Sequence, residues 1–338
     1  MTKLNLANLN ETKFRKQFPI DLVYLWCDGG DPDFIARKNL RQQQFNGQIA
    51  SENIDELRYT QHDELKYSLR SVEKNAPWIN HIYIVTDNQK PKWLKPNPKI
   101  TIIDHKEIIP DNIRPVFSAI VIEMYISKIP GLSEHFLFAN DDMFFYKTVT
   151  PQDFFSDFER PIVWLSKMPQ LSKHDVSKVL DNPNRTDWYK TAVRAWQLFS
   201  LRSQTRLPFY YPAHSIDSYT KKIYDSTLEK YPELLSHNRA PFRAGNEICR
   251  LIFCYEMIHS FHCKFFINQK INLLTKILSL FTDLKLFSIY KSNPDKLDKY
   301  LTKFNPKTFC CNTINTTNEF KTIKLFEKLY PQKSQWEV

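Results

Sequence analysis

Glycine is scarce in this chain, with 5 residues in 338 beside 20 prolines. That leaves too few for a nucleotide loop built on several glycines. Neither G-x-G-x-x-G nor a Walker A pattern occurs, which argues against a P-loop NTPase and a simple NAD enzyme. No apolar run reaches the ~18–20 residues of a membrane span. The nearest, 271–290, is broken by Lys276, Asp283 and Lys285. It reads as one or two amphipathic helices, either packed on the core or laid on a membrane interface. The polar opening (MTKLNLANLNETKFRKQF) has no apolar centre of a signal peptide. The six cysteines (27, 249, 254, 263, 310 and 311) form no C-x-x-C pair. With no export signal, reduced thiols in a cytoplasmic protein are expected. Adjacent Cys310 and Cys311 cannot form a relaxed mutual disulfide and read as buried thiols. No RNP-like or zinc-finger spacing accompanies the 14% aromatic content, so no nucleic-acid partner is expected.

What is present is an ordinary globular balance, 42% apolar and 25% charged residues, enough for one large domain or two small ones. The net charge of +10 is uneven: 14 basic and 7 acidic residues from Arg250 to Val338 carry +7 of it. Such a segment suits a polyanion, a phosphorylated substrate or an anionic membrane face, or is a solvated basic surface.

Apolar runs at 20–26, 81–86, 100–104 and 135–140 read as strands, and the periodicity of 63–74 and 119–129 as helices. Their alternation predicts an α/β fold: a largely parallel, Rossmann-like sheet flanked by helices, with a more helical C-terminal part. Residues 214–235 and 246–262 read as helices and 308–311 as a short strand, whereas 156–213 has weak periodicity. Ligands of parallel sheets sit beyond the carboxyl ends of strands. Acids stand at three such ends: Asp28 and Asp31, Asp87, and Asp141 with Asp142.

Asn140-Asp141-Asp142 is the sharpest feature. Adjacent carboxylates repel, and a divalent cation would remove that cost. Alternatively one is a general base and the other a ligand, or the pair is a plain acidic turn. Glu123 lies among Ile120, Val121, Ile122, Met124 and Ile126, so it is either at a helix edge or held by a partner. His214 reads as the start of a helix, where its charged form is disfavoured; it is a base, a hydrogen-bond donor or a structural residue. Arg239, Arg243 and Glu247 in SHNRAPFRAGNEI suit phosphate recognition or form a basic surface loop.

The segments IDLVYLWCDGGDP (20–32), DELKYSLRSVEKNAPWINHIYIVTDNQKPKWL (63–94), FSAIVIEMYISKIPGLSEHFLFANDDMFF (117–145), PAHSIDSYTKKIYDSTLEKYPELLSHNRAPFRAGNEI (212–248) and KTFCCN (307–312) resemble, in order, the blocks of the Stealth family. These are bacterial capsular polysaccharide phosphotransferases, related to the animal N-acetylglucosamine-1-phosphotransferase. The resemblance implies transfer of a hexose 1-phosphate from a nucleotide sugar, commonly a UDP-sugar, to a hydroxyl of a growing capsular or extracellular polysaccharide, with release of nucleoside monophosphate. It implies a divalent cation, Mg²⁺ or Mn²⁺, on Asp141 and Asp142. Asp142, His214, Arg243 and Glu123 match the catalytic set, with His214 a base or a nucleophile. Asp28, Asn140 and Arg70 fall to the nucleotide-sugar pocket. The implied organisation is a lead at 1–19, a catalytic domain at 20–312 and a basic helical tail at 313–338. The implied partners are the nucleotide-sugar donor, a polysaccharide or lipid-linked glycan acceptor, the inner face of the cytoplasmic membrane and the capsule-assembly machinery. The chain departs from the family pattern at Cys27 and Gly30, which replace Val and Ser, and at His62, which replaces Asn. It departs again at Thr313, which replaces the aspartate of the last block.

Two other readings fit the same residues. A metal-dependent, GT-A-like glycosyltransferase would use the same acidic site and release a nucleoside diphosphate. A non-catalytic protein would hold a polyanionic glycan through Lys296, Lys299 and Lys303.

Overall fold

The computed structural model describes the chain apart from residues 1–17, 47, 48, 50–58, 157, 158, 169, 170, 172, 206, 268–286 and 312–317. Its centre is a five-stranded sheet in the order β3-β2-β1-β4-β8. The apolar run after Pro19 forms β1 (Ile20–Leu25), which pairs in parallel with β2 (Ile82–Thr86) and β4 (His135–Asn140). β3 (Ile100–Asp104) adds in parallel to β2. This is the expected mixed α/β fold with a largely parallel sheet. Strands covered on both faces carry no polar alternation, and Leu22, Val23, Ile82 and Ile84 are fully buried accordingly. At the amino end of β1, buried Asp21 accepts from Asn80 Nδ2 (2.8 Å) and the Ser133 amide (2.7 Å). That acid ties loops together; the acids at the opposite edge form the site.

Helix α1 (Pro32–Gln44) follows β1, and Asp31 caps it by accepting from the Asp33 and Phe34 amides. α2 (Glu64–Asn75) follows next. A short turn of helix, α3 (His105–Ile108), leaves β3, and α4 (Ala119–Glu123) precedes β4. The helix predicted over 119–129 therefore stops at Glu123 and continues as a 3₁₀ turn at Ile126–Lys128.

β4 turns at Asp141-Asp142 into β5 (Met143–Phe145), the edge of a second sheet ordered β10-β11-β5. α2 holds that strand by side chains. Ser68 Oγ donates to the Met143 carbonyl (2.5 Å), Asn75 Nδ2 donates to the Phe145 carbonyl (2.6 Å), and the Phe145 amide donates to Ser71 Oγ (3.0 Å). The polar residues of SLRSVEKN thus complete the hydrogen bonds of a strand that has one paired edge.

The weakly periodic 156–213 region contains β6 (Ile162–Lys167), α5 (Lys173–Leu180), α6 (Asp187–Ser203) and β7 (Tyr210–Pro212). β6 is the centre of a third sheet, between β7 and β9 (Lys264–Ile267). The helix predicted at 214–235 is corrected. Asp217–Thr220 is a strand, β8, antiparallel to β4, and only α7 (Lys221–Lys230) and α8 (Glu233–His237) are helical. The Ser-Tyr-Thr composition of β8 favours a strand, and pairing with β4 outweighs the helical spacing. The helix predicted at 246–262 shortens to α9 (Leu251–His259).

The amphipathic stretch at 271–290 lies mostly outside the described residues, and its end, Ser288–Tyr290, is strand β10. α10 (Pro294–Phe304), β11 (Thr308–Cys310) and α11 (Glu319–Leu329) complete the chain. The C-terminal segment packs on the second sheet. Phe144 of β5 stacks on Phe309 at 4.7 Å and packs against Phe326 of α11 at 4.6 Å. Trp336 is 1% exposed. Among the described residues, no helix is long and apolar enough to cross a membrane.

Arg70 of α2 forms a two-pronged ion pair with Glu337, at 2.7 and 2.5 Å, and donates to the Tyr330 carbonyl. Burial would raise the Glu337 pKa, but Arg70 outweighs it and holds the carboxyl below its usual range. Replacing Arg70 by Ala leaves a buried carboxylate unpaired and is expected to cost about 2–3 kcal/mol. Urea unfolding measures the loss, and limited proteolysis should cut first near the C-terminus.

Candidate active site

The carboxyl edge of the parallel strands gathers the acids, but they differ in how their charge is met. Asp31 is consumed as a helix cap. Asp87 receives Arg37 Nε at 2.9 Å, and the Arg37 guanidinium also donates to its carbonyl. Asp28 belongs to a turn: its Oδ1 accepts from the Gly30 amide (2.9 Å). Its backbone is locked both ways to the Gln89 amide, at 3.1 and 2.9 Å, joining the ends of β1 and β2. Gly29 is required there, since a Cβ would come within 2.4 Å of the Tyr59 carbonyl oxygen. Asn140 ends β4 opposite Leu25, beside this turn.

Asp141 and Asp142 have no such compensation. Burial, Asp142 and Glu64 push Asp141 well up. Burial raises Asp142 to about 6, with Glu64 adding to the rise and the Cys310 thiol opposing it. Cys310 Sγ donates to Asp142 Oδ2 (3.4 Å), the Cys311 amide donates to its carbonyl (3.0 Å), and Oδ1 is buried without a partner. Glu64 of α2, itself buried, accepts from the His62 amide and ring.

This donor set suits a hard divalent cation. The principal charges acting on the pair are other carboxylates, and one oxygen is orphaned. Mg²⁺ needs only one or two protein carboxylates, with water and phosphate completing its shell. Among the described residues no cluster of three or more His, Cys, Asp or Glu stands ready to hold a metal ion.

His214 does not start a helix. It sits in a left-handed turn (φ 48°) before β8, its ring stacked on Tyr290 at 4.7 Å, its carbonyl accepting from Ser288 Oγ (3.1 Å). Burial first, and the Arg250 charge second, bring its pKa down to about 4; a helix dipole plays no part. Burial raises the Tyr290 phenol, with the Cys310 and Asp142 charges adding to the rise.

Glu123 is held by a partner. Its Oε1 receives Arg250 Nη1 at 2.9 Å, and its Oε2 is buried without a hydrogen bond. The same guanidinium reaches Asp217 Oδ2 through Nε (3.1 Å) and Nη2 (2.9 Å). Arg243 acts on Glu123 electrostatically and lies over the Trp188 ring at 5.8 Å, its Nε without a partner. The loop carrying Arg243 is clamped by Asn238, which bonds Ile248 through both backbone groups at 2.9 and 2.8 Å. Gly245 adopts φ +73° beside Asp187. Glu247 serves the same loop by accepting from the Ala244 amide (2.9 Å), and Arg239 is exposed.

Tyr290 thus stacks on His214 and feels Asp142, Arg250 bonds Glu123 and acts on His214, and Arg243 acts on Glu123. Arg70 is committed to Glu337 and Tyr330, which corrects its assignment to the nucleotide-sugar pocket. Sequence reasoning missed Arg250, Asp217 and Tyr290. Arg250 left a signal, a single cation in the apolar run ICRLIFCYEMI; Tyr290 left none. Asn312 and Thr313, where the last block departs from the family, lie outside the described residues.

Comparison with known proteins agrees. Family models described as Stealth protein CR1, conserved region 1, and Stealth protein CR2, conserved region 2, match residues 18–42 and 58–162. The chain is similar to exopolysaccharide phosphotransferase cps2G of Lactiplantibacillus plantarum, with 32% identity covering 71% of this chain and 76% of that protein. Capsular polysaccharide phosphotransferase cps1A of Actinobacillus pleuropneumoniae is 42% identical over 69% of this chain and 63% of its own length. An exopolysaccharide phosphotransferase of Streptomyces coelicolor is 48% identical over 41% of this chain but only 23% of its own length. Among solved structures, the galactosyltransferase LgtC aligns at 10% identity with a TM-score of 0.39, over 94% of this chain and 99% of that one, a likeness too slight to bear on the chemistry.

The raised pKa of Asp142 has a sign. In the cation-free protein it favours folding fully below the ordinary carboxylate pKa, and the advantage is lost as pH rises through about 6. Asp142→Asn removes that loss, so its melting temperature relative to wild type should climb between about pH 4 and 6 and stay flat above. Added Mg²⁺ at neutral pH should stabilise wild type and not this variant; scanning calorimetry at several pH values measures both.

Proposed function

The chain belongs to the Stealth family of capsular and exopolysaccharide phosphotransferases, and from that premise we propose that it transfers a sugar 1-phosphate from a nucleotide sugar to a sugar hydroxyl of a growing polysaccharide. The acceptor oxygen bonds to the sugar-bearing phosphorus, the bond from that phosphorus to the bridging oxygen breaks, and the nucleoside monophosphate leaves with that oxygen as a phosphodiester forms. The observations that support this reading are an Asp142 with one buried oxygen unpartnered at the carboxyl edge of β4, a neutral His214 and an Arg243 whose Nε has no partner.

Attack on a diphosphate is opposed by its own negative charge, so catalysis is chiefly positioning and charge neutralisation. Asp141 and Asp142 would hold the divalent cation, which when bound supplies the positive field at the donor phosphates. Arg243 presents a guanidinium without a hydrogen-bonded carboxylate and is free to take a phosphate oxygen, while Trp188 keeps it extended. His214, neutral at physiological pH, accepts the proton of the acceptor hydroxyl at its ring nitrogen. Tyr290 covers one face of that ring and fixes its plane. The turn of Asp28, with Gln89 and Asn140, supports the uridine or sugar end of a UDP-sugar. The acceptor is a polysaccharide or lipid-linked glycan. Work on lipid-linked chains would place the protein at the inner face of the cytoplasmic membrane, and the basic C-terminal segment suits that surface.

Incubation with UDP-sugars, Mg²⁺ and an acceptor glycan is expected to yield UMP; UDP instead would mark a glycosyltransferase, and no nucleotide product would leave glycan binding alone. Asp142→Asn and His214→Ala should each lower kcat by about 10²-fold or more, with chromatographic quantification of the nucleotide as the readout. Near-full activity in either variant would remove that residue from the mechanism.

A further inference from the structure

We propose that Arg250 is a positioning residue: it fastens together the three chain segments that carry Glu123, His214 and Arg243, and so sets the geometry in which they meet. This rests on the phosphotransferase reading above for its activity arm only.

The three segments come from separate parts of the fold. Glu123 ends α4, Asp217 opens β8 three residues after His214, and Arg250 enters α9 seven residues after Arg243. A single guanidinium spans all three, with bonds of 2.9 Å to Glu123 and of 3.1 and 2.9 Å to Asp217. Its side chain is 7% exposed, those of Glu123 and Asp217 3% and 14%, and it lies over Phe138 of β4 at 4.7 Å. Three bonds from a planar fork, aimed at two carboxylates on different elements, fix orientation in a way that a lysine point charge does not. The backbone turn at His214 has positive φ, a conformation that persists for a non-glycine residue only where its surroundings over-determine it. The Asp217 anchor on one side and Ser288 Oγ on the His214 carbonyl on the other supply that determination.

Charge is arranged to match. One cation and two carboxylates leave the triad short by one positive charge, and Glu123 Oε2 is unpartnered. Arg243, the other cation acting on Glu123, is thereby drawn toward the site without being bonded into it. The groups facing His214 are Arg250 from the start of α9, the Tyr290 phenol from β10 and, beyond that ring, the Asp142 carboxylate. Arg250 is the nearest cation in this set, so its removal favours the imidazolium.

The test compares wild type with R250K, R250M and, as a charge-balanced fallback, the double variant R250M/D217N. The His214 imidazole is followed by NMR across pH, and kcat and KM for the UDP-sugar by nucleotide release. In R250M the His214 titration should move up by about half a unit or more, and the acid limb of kcat/KM should move with it. Its kcat at neutral pH should fall by about 10- to 100-fold, while donor KM stays within about threefold. R250K should restore the titration, because it keeps the charge, but recover only part of kcat, because it cannot span both carboxylates. Should R250M not fold, the double variant carries the same expectations, since it removes the Arg250 charge and its tie to Asp217 while leaving one fewer buried carboxylate uncompensated. An unmoved His214 titration, or a kcat in the methionine variants equal to wild type, would overturn the proposal. A displaced His214 titration in R250M, beside a wild type that releases no nucleoside monophosphate, would instead overturn the phosphotransferase reading and leave the positioning role standing.

Discussion

The rest of the site is built around one unfavourable contact, the adjacent carboxylates of Asp141 and Asp142 at the junction of two sheets. β4 delivers them to the carboxyl edge, and β5 leaves at once for a different sheet, so the turn between is held at both ends. Repulsion of this kind would favour a looser turn. The structure prevents it with backbone and side-chain bonds from three directions: α2 onto β5, Cys311 just past β11 onto the Asp142 carbonyl, and β1 alongside β4. What those bonds preserve is a pair of acids whose charge the protein does not itself balance, which is the condition for binding a cation together with an anionic substrate.

The opposite sign is distributed with the same economy. Arg37, Arg70 and Arg250 are each bonded to carboxylates, at Asp87, Glu337, and Glu123 with Asp217. Arg243 makes no such bond, although it sits within electrostatic reach of Glu123. A guanidinium already satisfied by a carboxylate has little left to offer a phosphate. The distinction between Arg243 and its neighbours therefore lies in their partners, since the residue type is the same. A protein with a net charge of +10 thus leaves a particular cation available at the site.

Much of this arrangement was legible in the sequence, and for identifiable reasons. The buried runs 20–25, 82–86 and 135–140 are continuous and bounded by turn residues, so their strands and the acids after them could be placed directly. The motif resemblance then singled out Glu123, Asp142, His214 and Arg243. Two kinds of information were not legible. Residues 214–220 have helical spacing, and only pairing with β4 makes them a strand, which changes the reason His214 is neutral. The partners of charged residues also depend on tertiary contact: nothing near Arg70 points to Glu337, 267 positions away, or near Glu123 to Arg250, 127 away. The same holds for Tyr290, whose role follows from stacking on a residue 76 positions earlier in the chain.

Those long separations have a consequence of their own. Tyr290 and Cys310, which touch His214 and Asp142, arrive on β10 and β11, and β11 pairs with β5 across more than 160 residues. Contacts this distant in sequence carry a loop-closure cost before they give any stability, and form late. The parallel sheet can therefore assemble first from β1 to β4, with the acidic turn still exposed at its edge. Cys310 and Tyr290 on these C-terminal strands touch Asp142 and His214, whose burial is the first cause of their shifted proton affinities. Desolvation of the carboxylates and closure of the histidine pocket are thus one structural event, and the electrostatic character of the site belongs to the completed chain, beyond what any one of its motifs provides.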